Sequence, residues 1–246
     1  MKLLVDIGNT RLKWALADAS VLTVAEPLVH QTATFKQNLL QRWWMLPQPP
    51  VQLAISCVSH AGLLQQVILL TRELWPTVEI VIPKAQAHAL GVTNAYLEPE
   101  KLGIDRWLAL LAVRQLCQQA ACVVDCGTAI TVDFVNSQGQ HLGGVISPGL
   151  TLMKQALANG TEQLPYTEQA YKTALATHTA AAIHSGILYA AVGLIEKSLQ
   201  RQQAGFKVFL TGGDAAVIAA ELAVEATIYD DLVLRGLLAV VNAGVK

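Results

Sequence analysis

Short apolar runs broken by turn residues fill the first eighty positions, and their lengths predict strands alternating with helices rather than a helical bundle. Residues 2–6, 12–17 and 21–28 read as three consecutive strands. A helix is predicted from residue 35 to about 45, stopped by Pro47, Pro49 and Pro50. Residues 52–57 read as a strand, a helix capped by Ser59 runs to Leu74, and residues 78–82 form a further strand after Pro76. From Pro83 to Leu102 little periodicity is left, and a loop of that length inside a compact domain is often functional. Past Gly103, Leu108, Leu111, Ala112 and Gln115 follow helical spacing, in a helix that reads as a bridge between two halves.

The pattern then restarts. Residues 122–126, 131–135 and 141–147 read as three strands, and Pro148-Gly149 opens a helix to about Leu157. Residues 159–177 look like a mobile excursion. A long apolar helix spans about 180–200, followed by a strand at 207–211, the turn Gly212-Gly213-Asp214, a helix at 215–222, a strand at 226–228 and a last helix from Leu232. The order β-β-β-α-β-α occurs twice, which predicts a duplicated α/β fold.

Two turns reinforce the duplication. Leu3-Leu4-Val5 ends in Asp6-Ile7-Gly8-Asn9-Thr10, and Cys122-Val123-Val124 ends in Asp125-Cys126-Gly127-Thr128-Ala129, about half the chain later. Glycine permits backbone angles that other residues avoid and removes side-chain bulk, so a hairpin tip can approach a phosphate. Thr or Asn adds polar donors, and the Asp offers oxygens to a cation. One such turn is commonplace, and its Asp can merely brace the backbone. Two in matching positions predict that both tips face one nucleotide.

Composition narrows the partners. Charged residues make up 14% of the 246 positions and hydrophobic ones 53%, against about 25% charged in an ordinary soluble chain. Such a surface predicts an oligomer, most simply a twofold dimer. The net charge of −1 and the lack of a Lys/Arg cluster disfavour nucleic acid. The longest apolar run, from Gly186 to Ile195, is ten residues, about half of what a bilayer needs. With a strand at the N-terminus instead of a signal pattern, no membrane role and a cytoplasmic location are expected. The four cysteines, Cys57, Cys117, Cys122 and Cys126, fit no zinc spacing and read as buried, reduced thiols. Trp43, Trp44 and Trp75 read as apolar packing.

Phosphoryl transfer needs donors around the phosphates, carboxylates for magnesium and a base for the acceptor hydroxyl. The turns meet the first two needs. Gly103-Ile104-Asp105-Arg106-Trp107 points to the third, with a carboxylate beside a guanidinium at a helix start, where the dipole favours anions. An Arg fork suits a carboxylate or phosphate on a small substrate. Taken alone, Asp105 reads more simply as an N-terminal helix charge with Arg106 a surface cation.

These segments, together with Gly143-Gly144-Val145-Ile146-Ser147-Pro148-Gly149 and Thr211-Gly212-Gly213-Asp214-Ala215, resemble type III pantothenate kinases. These belong to the superfamily of acetate and sugar kinases, heat-shock chaperones and actin. The resemblance runs from residue 1 to about 240. It implies duplicated ribonuclease-H-like (actin-like ATPase) domains, 1–117 and 118–246, with mixed five-stranded sheets and an interdomain cleft. It also implies ATP-dependent phosphorylation of pantothenate to 4′-phosphopantothenate, the first step of coenzyme A biosynthesis. By the same resemblance Asp105 is the general base and Asp125 holds a monovalent cation, K⁺ or NH₄⁺. ATP, with Mg²⁺, meets Asp6, Ile7, Gly8, Asn9, Thr10, Arg11, Leu12, Lys13 and Thr128. Pantothenate meets Tyr96, Gly103, Ile104, Asp105, Arg106 and Thr179, and the enzyme works as a homodimer with each pantothenate site partly supplied by the neighbour. Arg106 is the chemical choice for the pantothenate carboxylate.

One departure from the family pattern is His178-Thr179, where Asn-Thr is usual; His178 reads as a replacement cap or an interface residue. Two alternatives remain: a nucleotide-binding regulatory or accessory protein without turnover, and another small-molecule kinase of the superfamily. The intact set Asp6, Asp105 and Asp125 speaks against the first, and a substrate panel separates the second.

Overall fold

A computed structural model describes residues 1–19, 21–202 and 205–245. Contacts divide it into two units, residues 1–116 with 231–245 and residues 117–230.

In the first unit, β1 (Lys2–Ile7) is the central strand, followed by β2 (Arg11–Asp18), β3 (Val21–Val24), β4 (Leu28–Val29), α1 (Phe35–Trp44), β5 (Gln52–Cys57), α2 (Ala61–Leu74) and β6 (Glu79–Val81). The sheet order is β3-β2-β1-β5-β6, with β4 also paired to β2. β1 is antiparallel to β2 and parallel to β5. It is apolar on both faces because both are covered. Leu3, Val5 and Ile7 join Leu53, Ile55, Leu39, Trp43 and Leu63 in one core. The predicted strand 21–28 splits in two, with Pro27 removing a ladder donor just before β4. His60, not Ser59, caps α2, its Nδ1 accepting from Leu63 N–H at 3.1 Å.

The loop from 83 to 102 holds more order than its sequence predicts. It contains a small hairpin, β7 (His88–Ala89) and β8 (Val92–Thr93), and a 3₁₀ turn at Pro99–Lys101. α3 (Ile104–Leu116) follows, and it belongs to the first unit.

The second unit repeats the plan. β9 (Ala121–Cys126), β10 (Ala129–Val135), β11 (His141–Pro148), α4 (Leu150–Gly160), α5 (Thr179–Gln200), β12 (Lys207–Thr211), α6 (Ala215–Ala219) and β13 (Ala226–Ile228) give the sheet order β11-β10-β9-β12-β13. Parallel and antiparallel pairings match those of the first sheet strand for strand. This is the duplicated α/β fold that the recurrence predicts, in the ribonuclease-H-like form that the family resemblance implies.

The last helix, α7 (Leu232–Asn242), departs from a simple division at residue 117. It packs on α3, β1 and β5 in the first unit. A Cβ on Gly236 would run into the Leu108 backbone, so this glycine allows the two helices to touch closely.

Two further expectations change. α5 is the long helix expected at about 180–200, but the ten-residue apolar run understates it: a window of 18 of its 22 residues has a mean hydropathy of 1.3, enough by length and composition to cross a membrane. Here it packs against α4, α6 and β10 through a buried stripe that includes Ile183, Ile187, Leu188 and Ile195. Trp43 is buried against Trp75, ring centroids 5.7 Å apart, but Trp44 is 77% exposed. Cys122 and Cys126 are buried, Cys57 and Cys117 half-buried, and all four are free thiols.

Candidate active site

The first turn joins β1 to β2. Gly8 N–H donates to Arg11 O at 3.0 Å, leaving Asn9 and Thr10 exposed at the tip. Gly8 does not have a positive φ, and neither does Gly127 of the second turn. The predicted need for unusual backbone angles is thus absent, and what remains is the lack of side-chain bulk. His30 Nε2–H donates to Gly8 O at 2.9 Å, and Gln31 Nε2 donates to Asn9 O at 3.4 Å, so two side chains after β4 hold the turn's carbonyls.

Register places a polar row at the end of this sheet. Asp6 pairs with Lys13 on β2 and with Ser56 on β5. Residues paired in register share a face of the sheet, so Lys13, Asp6 and Ser56 stand side by side. This face also carries Leu4 and Ala54 and is the one opposite the α1–α2 core. Asp6 is 8% exposed. Arg11 is exposed and Lys13 half-buried, so both ends of β2's first turn of residues are cationic.

Tyr96 and the start of α3 form a second cluster in the same unit. Arg106 N–H donates to Asp105 Oδ1 at 2.8 Å. A Cβ on Gly103 would lie 2.7 Å from that same oxygen, which explains the glycine ahead of the carboxylate. Arg106 is not a surface cation but 6% exposed. Its Nη1 donates to Tyr96 Oη at 2.8 Å, with the guanidinium 5.7 Å from the ring centre. Ile104 opens the helix beside them. The Tyr96 loop is braced by Asn94, whose Oδ1 accepts from Tyr96 N–H at 3.0 Å while its Nδ2 donates to Gln86 O and Pro99 O. Asn94 and His30 escape a motif search; an Asn two residues before the tyrosine is the Asx-turn signal that could have found the former.

In the second unit, Asp125 sits at the equivalent end of β9, paired with Thr131 and Thr211. Its turn is held by backbone from two sides. Gly149 N–H donates to Thr128 O at 2.9 Å, and Asp214 N–H donates to Cys126 O at 3.0 Å. A Cβ on Gly149 would collide with Gly127 O, and one on Gly212 would lie 2.6 Å from Asp125 Oδ1. Gly212 also has a φ of +97°, which other residues rarely adopt. Burial first, then the charges of Asp125 and Asp214, push the Cys126 thiol far above its usual range. It stays protonated and is no nucleophile.

Thr179 is the first residue of α5 and is exposed. His178 caps this helix, Nδ1 accepting from Ala181 N–H at 3.4 Å, and its ring lies 5.2 Å from that of Tyr171. His178 thus serves as the cap of α5, one of the two roles expected of it.

The site residues read from sequence thus fall into two groups. Asp6 to Lys13, Tyr96 and Gly103 to Arg106 lie in the first unit, and Asp125, Thr128 and Thr179 in the second. Among the described residues no group of three or more His, Cys, Asp or Glu side chains gathers into a metal site.

Comparison with known proteins places this arrangement. The Campylobacter jejuni structure described as a Baf-family transcriptional activator matches 98% of each chain at 21% identity, TM-score 0.64. The activator of the 2-hydroxyisocaproyl-CoA dehydratase from Clostridium difficile, with bound ADPNP, matches 98% of this chain and 93% of its own at 14% identity, TM-score 0.55. At such identities the likeness is one of fold. Sequence goes further. The type III pantothenate kinase of Nitrosococcus oceani is 37% identical over 96% of this chain and 92% of its own length. That of Dichelobacter nodosus is 38% identical over 89% of each. The model of the type III pantothenate kinase family matches residues 2–201, and the chain belongs to that family.

Proposed function

We propose that this protein transfers the γ-phosphoryl group of ATP to the primary hydroxyl of pantothenate, giving 4′-phosphopantothenate, the first step of coenzyme A biosynthesis. Beyond family membership, the observation that carries this reading is the assembly of Asp105, buried Arg106 and Tyr96 at the start of α3. Within this reading Asp105 supplies a base, and Arg106 supplies a fork that suits a carboxylate.

Each residue has a role within that reading. Asp105, oriented by the Arg106 N–H, accepts the proton of the attacking hydroxyl late in a loose transition state. Arg106 takes the pantothenate carboxylate through its planar fork. Tyr96 holds that fork in place, and Gly103, Ile104 and Thr179 complete the substrate contacts. Asp6, Ile7, Gly8, Asn9, Thr10, Arg11, Leu12 and Lys13 bind ATP together with Thr128, the cations of Arg11 and Lys13 facing phosphate oxygens. Most of the rate gain comes from in-line placement and neutralised charge.

In the row Lys13–Asp6–Ser56 the Asp6 carboxylate would hold a divalent cation beside the buried Ser56 hydroxyl, which has no hydrogen-bond partner, while the Lys13 ammonium would meet phosphate oxygens rather than the ion. When bound, Mg²⁺ neutralises charge on the phosphates. Asp125 is the ligand for K⁺ or NH₄⁺. The homodimer is supported by the low charged fraction of 14% and by an apolar groove of about 660 Å³ beside Thr179. Met153, Leu157, Leu164, Ile183 and Ile187 line that groove, and a second copy would cover them. A cytoplasmic location follows from the substrates.

The test uses purified protein with ATP, Mg²⁺, K⁺ and pantothenate, following 4′-phosphopantothenate by mass. Asp105→Asn keeps the fold and nucleotide binding and loses turnover by about 10²–10⁴-fold. Equal turnover in the Asn variant removes Asp105 from the mechanism, and a preference for another alcohol moves the substrate assignment.

A further inference from the structure

Ser56 lies outside every motif the family resemblance uses. It is fully buried at the end of β5, and its Oγ has no hydrogen-bond partner. A buried hydroxyl without a partner is a cost to the resting fold, and native structures rarely keep one without a reason. Packing does not supply the reason. Two residues earlier on the same face and strand stands Ala54, also buried, so a plain methyl fits this layer of the sheet.

Its position does supply one. Ser56 is the in-register parallel partner of Asp6, and Lys13 is the partner of Asp6 on the other side. The second unit repeats the device: Thr211, 2% exposed, is the in-register partner of Asp125. A hydroxyl beside the turn carboxylate therefore recurs in both sheets.

We propose that Ser56 is a positioning residue for the metal–nucleotide complex. Its hydroxyl donates to the Asp6 carboxylate once Mg·ATP is bound, fixing which carboxylate oxygen faces the ion. Groups that orient a ligating carboxylate typically govern metal affinity by about 10–100-fold. The inference rests on the reading that Asp6 serves Mg·ATP, and it does not depend on which alcohol is phosphorylated.

The experiment measures binding of a non-hydrolysable ATP analogue by calorimetry, with and without Mg²⁺ and with no pantothenate present. Ser56→Ala weakens binding of the Mg²⁺ complex about tenfold, leaves metal-free binding unchanged, and gives an unliganded melting temperature equal to or above that of the parent. Ser56→Thr, the residue type found at the sister position, keeps the parent affinity. Parent-like affinity for the Mg²⁺ complex in Ser56→Ala overturns the proposal. So does an equal loss with and without Mg²⁺, or a lowered unliganded melting temperature, since either marks a role in packing alone. Because pantothenate is absent, failure of the kinase assignment and failure of this inference are separate results.

Discussion

In the first unit the turn aspartate is buried between Lys13 and Ser56; in the second it stands half-exposed between Thr131 and Thr211. Both rows occupy the same place in sheets of the same order. Their charge is opposite. Arg11 and Lys13 follow the first turn, whereas no Lys or Arg occurs from Cys122 to Val135, and Asp214 adds a second carboxylate near Cys126. Their support differs as well. Side chains of His30 and Gln31 hold the first turn, and the backbone at Gly149 and Gly212–Asp214 holds the second. Topology sets where a carboxylate stands, and its neighbours set the charge around it.

Between the two turns, the largest expected effect separates their aspartates. Asp6→Asn lowers kcat/KM by on the order of 10²–10³-fold and raises the Mg²⁺ concentration needed for half-maximal rate. Asp125→Asn lowers the rate by about tenfold and removes the response to K⁺ or NH₄⁺, leaving the Mg²⁺ requirement in place. Titrating each variant with both ions checks this. If both variants lose the same ion response, the two turns are not specialised and the comparison fails.

Much of this was legible in the chain. Short apolar runs and repeated turns are local signals, so the order of elements along the chain and the duplication were open to reading. Residues that act through distant partners were not. Ser56 looks like any strand serine until β5 pairs with β1, and His30 like any loop histidine until it reaches Gly8 O. The role of the turn glycines was misjudged because local rules attach them to backbone angles. Gly8 and Gly127 have ordinary φ, and the exceptional glycines are Gly149 and Gly212, which receive the turn from elsewhere in the chain. The return of α7 to the first unit escaped for the same reason: its fit to α3 depends on Gly236 meeting Leu108 across more than a hundred residues.

A middle-sized effect follows from those glycines. A Cβ on Gly8 would meet only Arg11 O at 3.4 Å, an ordinary contact, so Gly8→Ala changes the melting temperature little. Gly149→Ala and Gly212→Ala force backbone apart at the second turn and cost about 1–3 kcal/mol each. Gly212→Ala stands at the upper end because its φ is also unfavourable to alanine. Denaturant melts of the three variants order them. A stable Gly149→Ala would mean that the second turn yields as readily as the first.

The smallest effect concerns the middle residue of each Asp-x-Gly turn, Ile7 in the first unit and Cys126 in the second. Burial is the first cause that raises the thiols of Cys126 and Cys122 above the usual value of 9.0. In the unfolded chain these thiols ionise near pH 9, whereas in the folded chain they keep their protons. Their contribution to stability is therefore complete below about pH 9 and declines as pH rises beyond it, by about 1.4 kcal/mol per pH unit for each thiol. Cys126→Val removes one such group and brings the second turn closer to the first. Melting temperatures at pH 8, 9 and 10 should then fall less steeply than in the parent, with turnover at pH 7.5 unchanged because the protonated thiol takes no part in it. A slope equal to the parent's would place the alkaline sensitivity elsewhere, and the two turns would differ in charge and packing but not in their response to base.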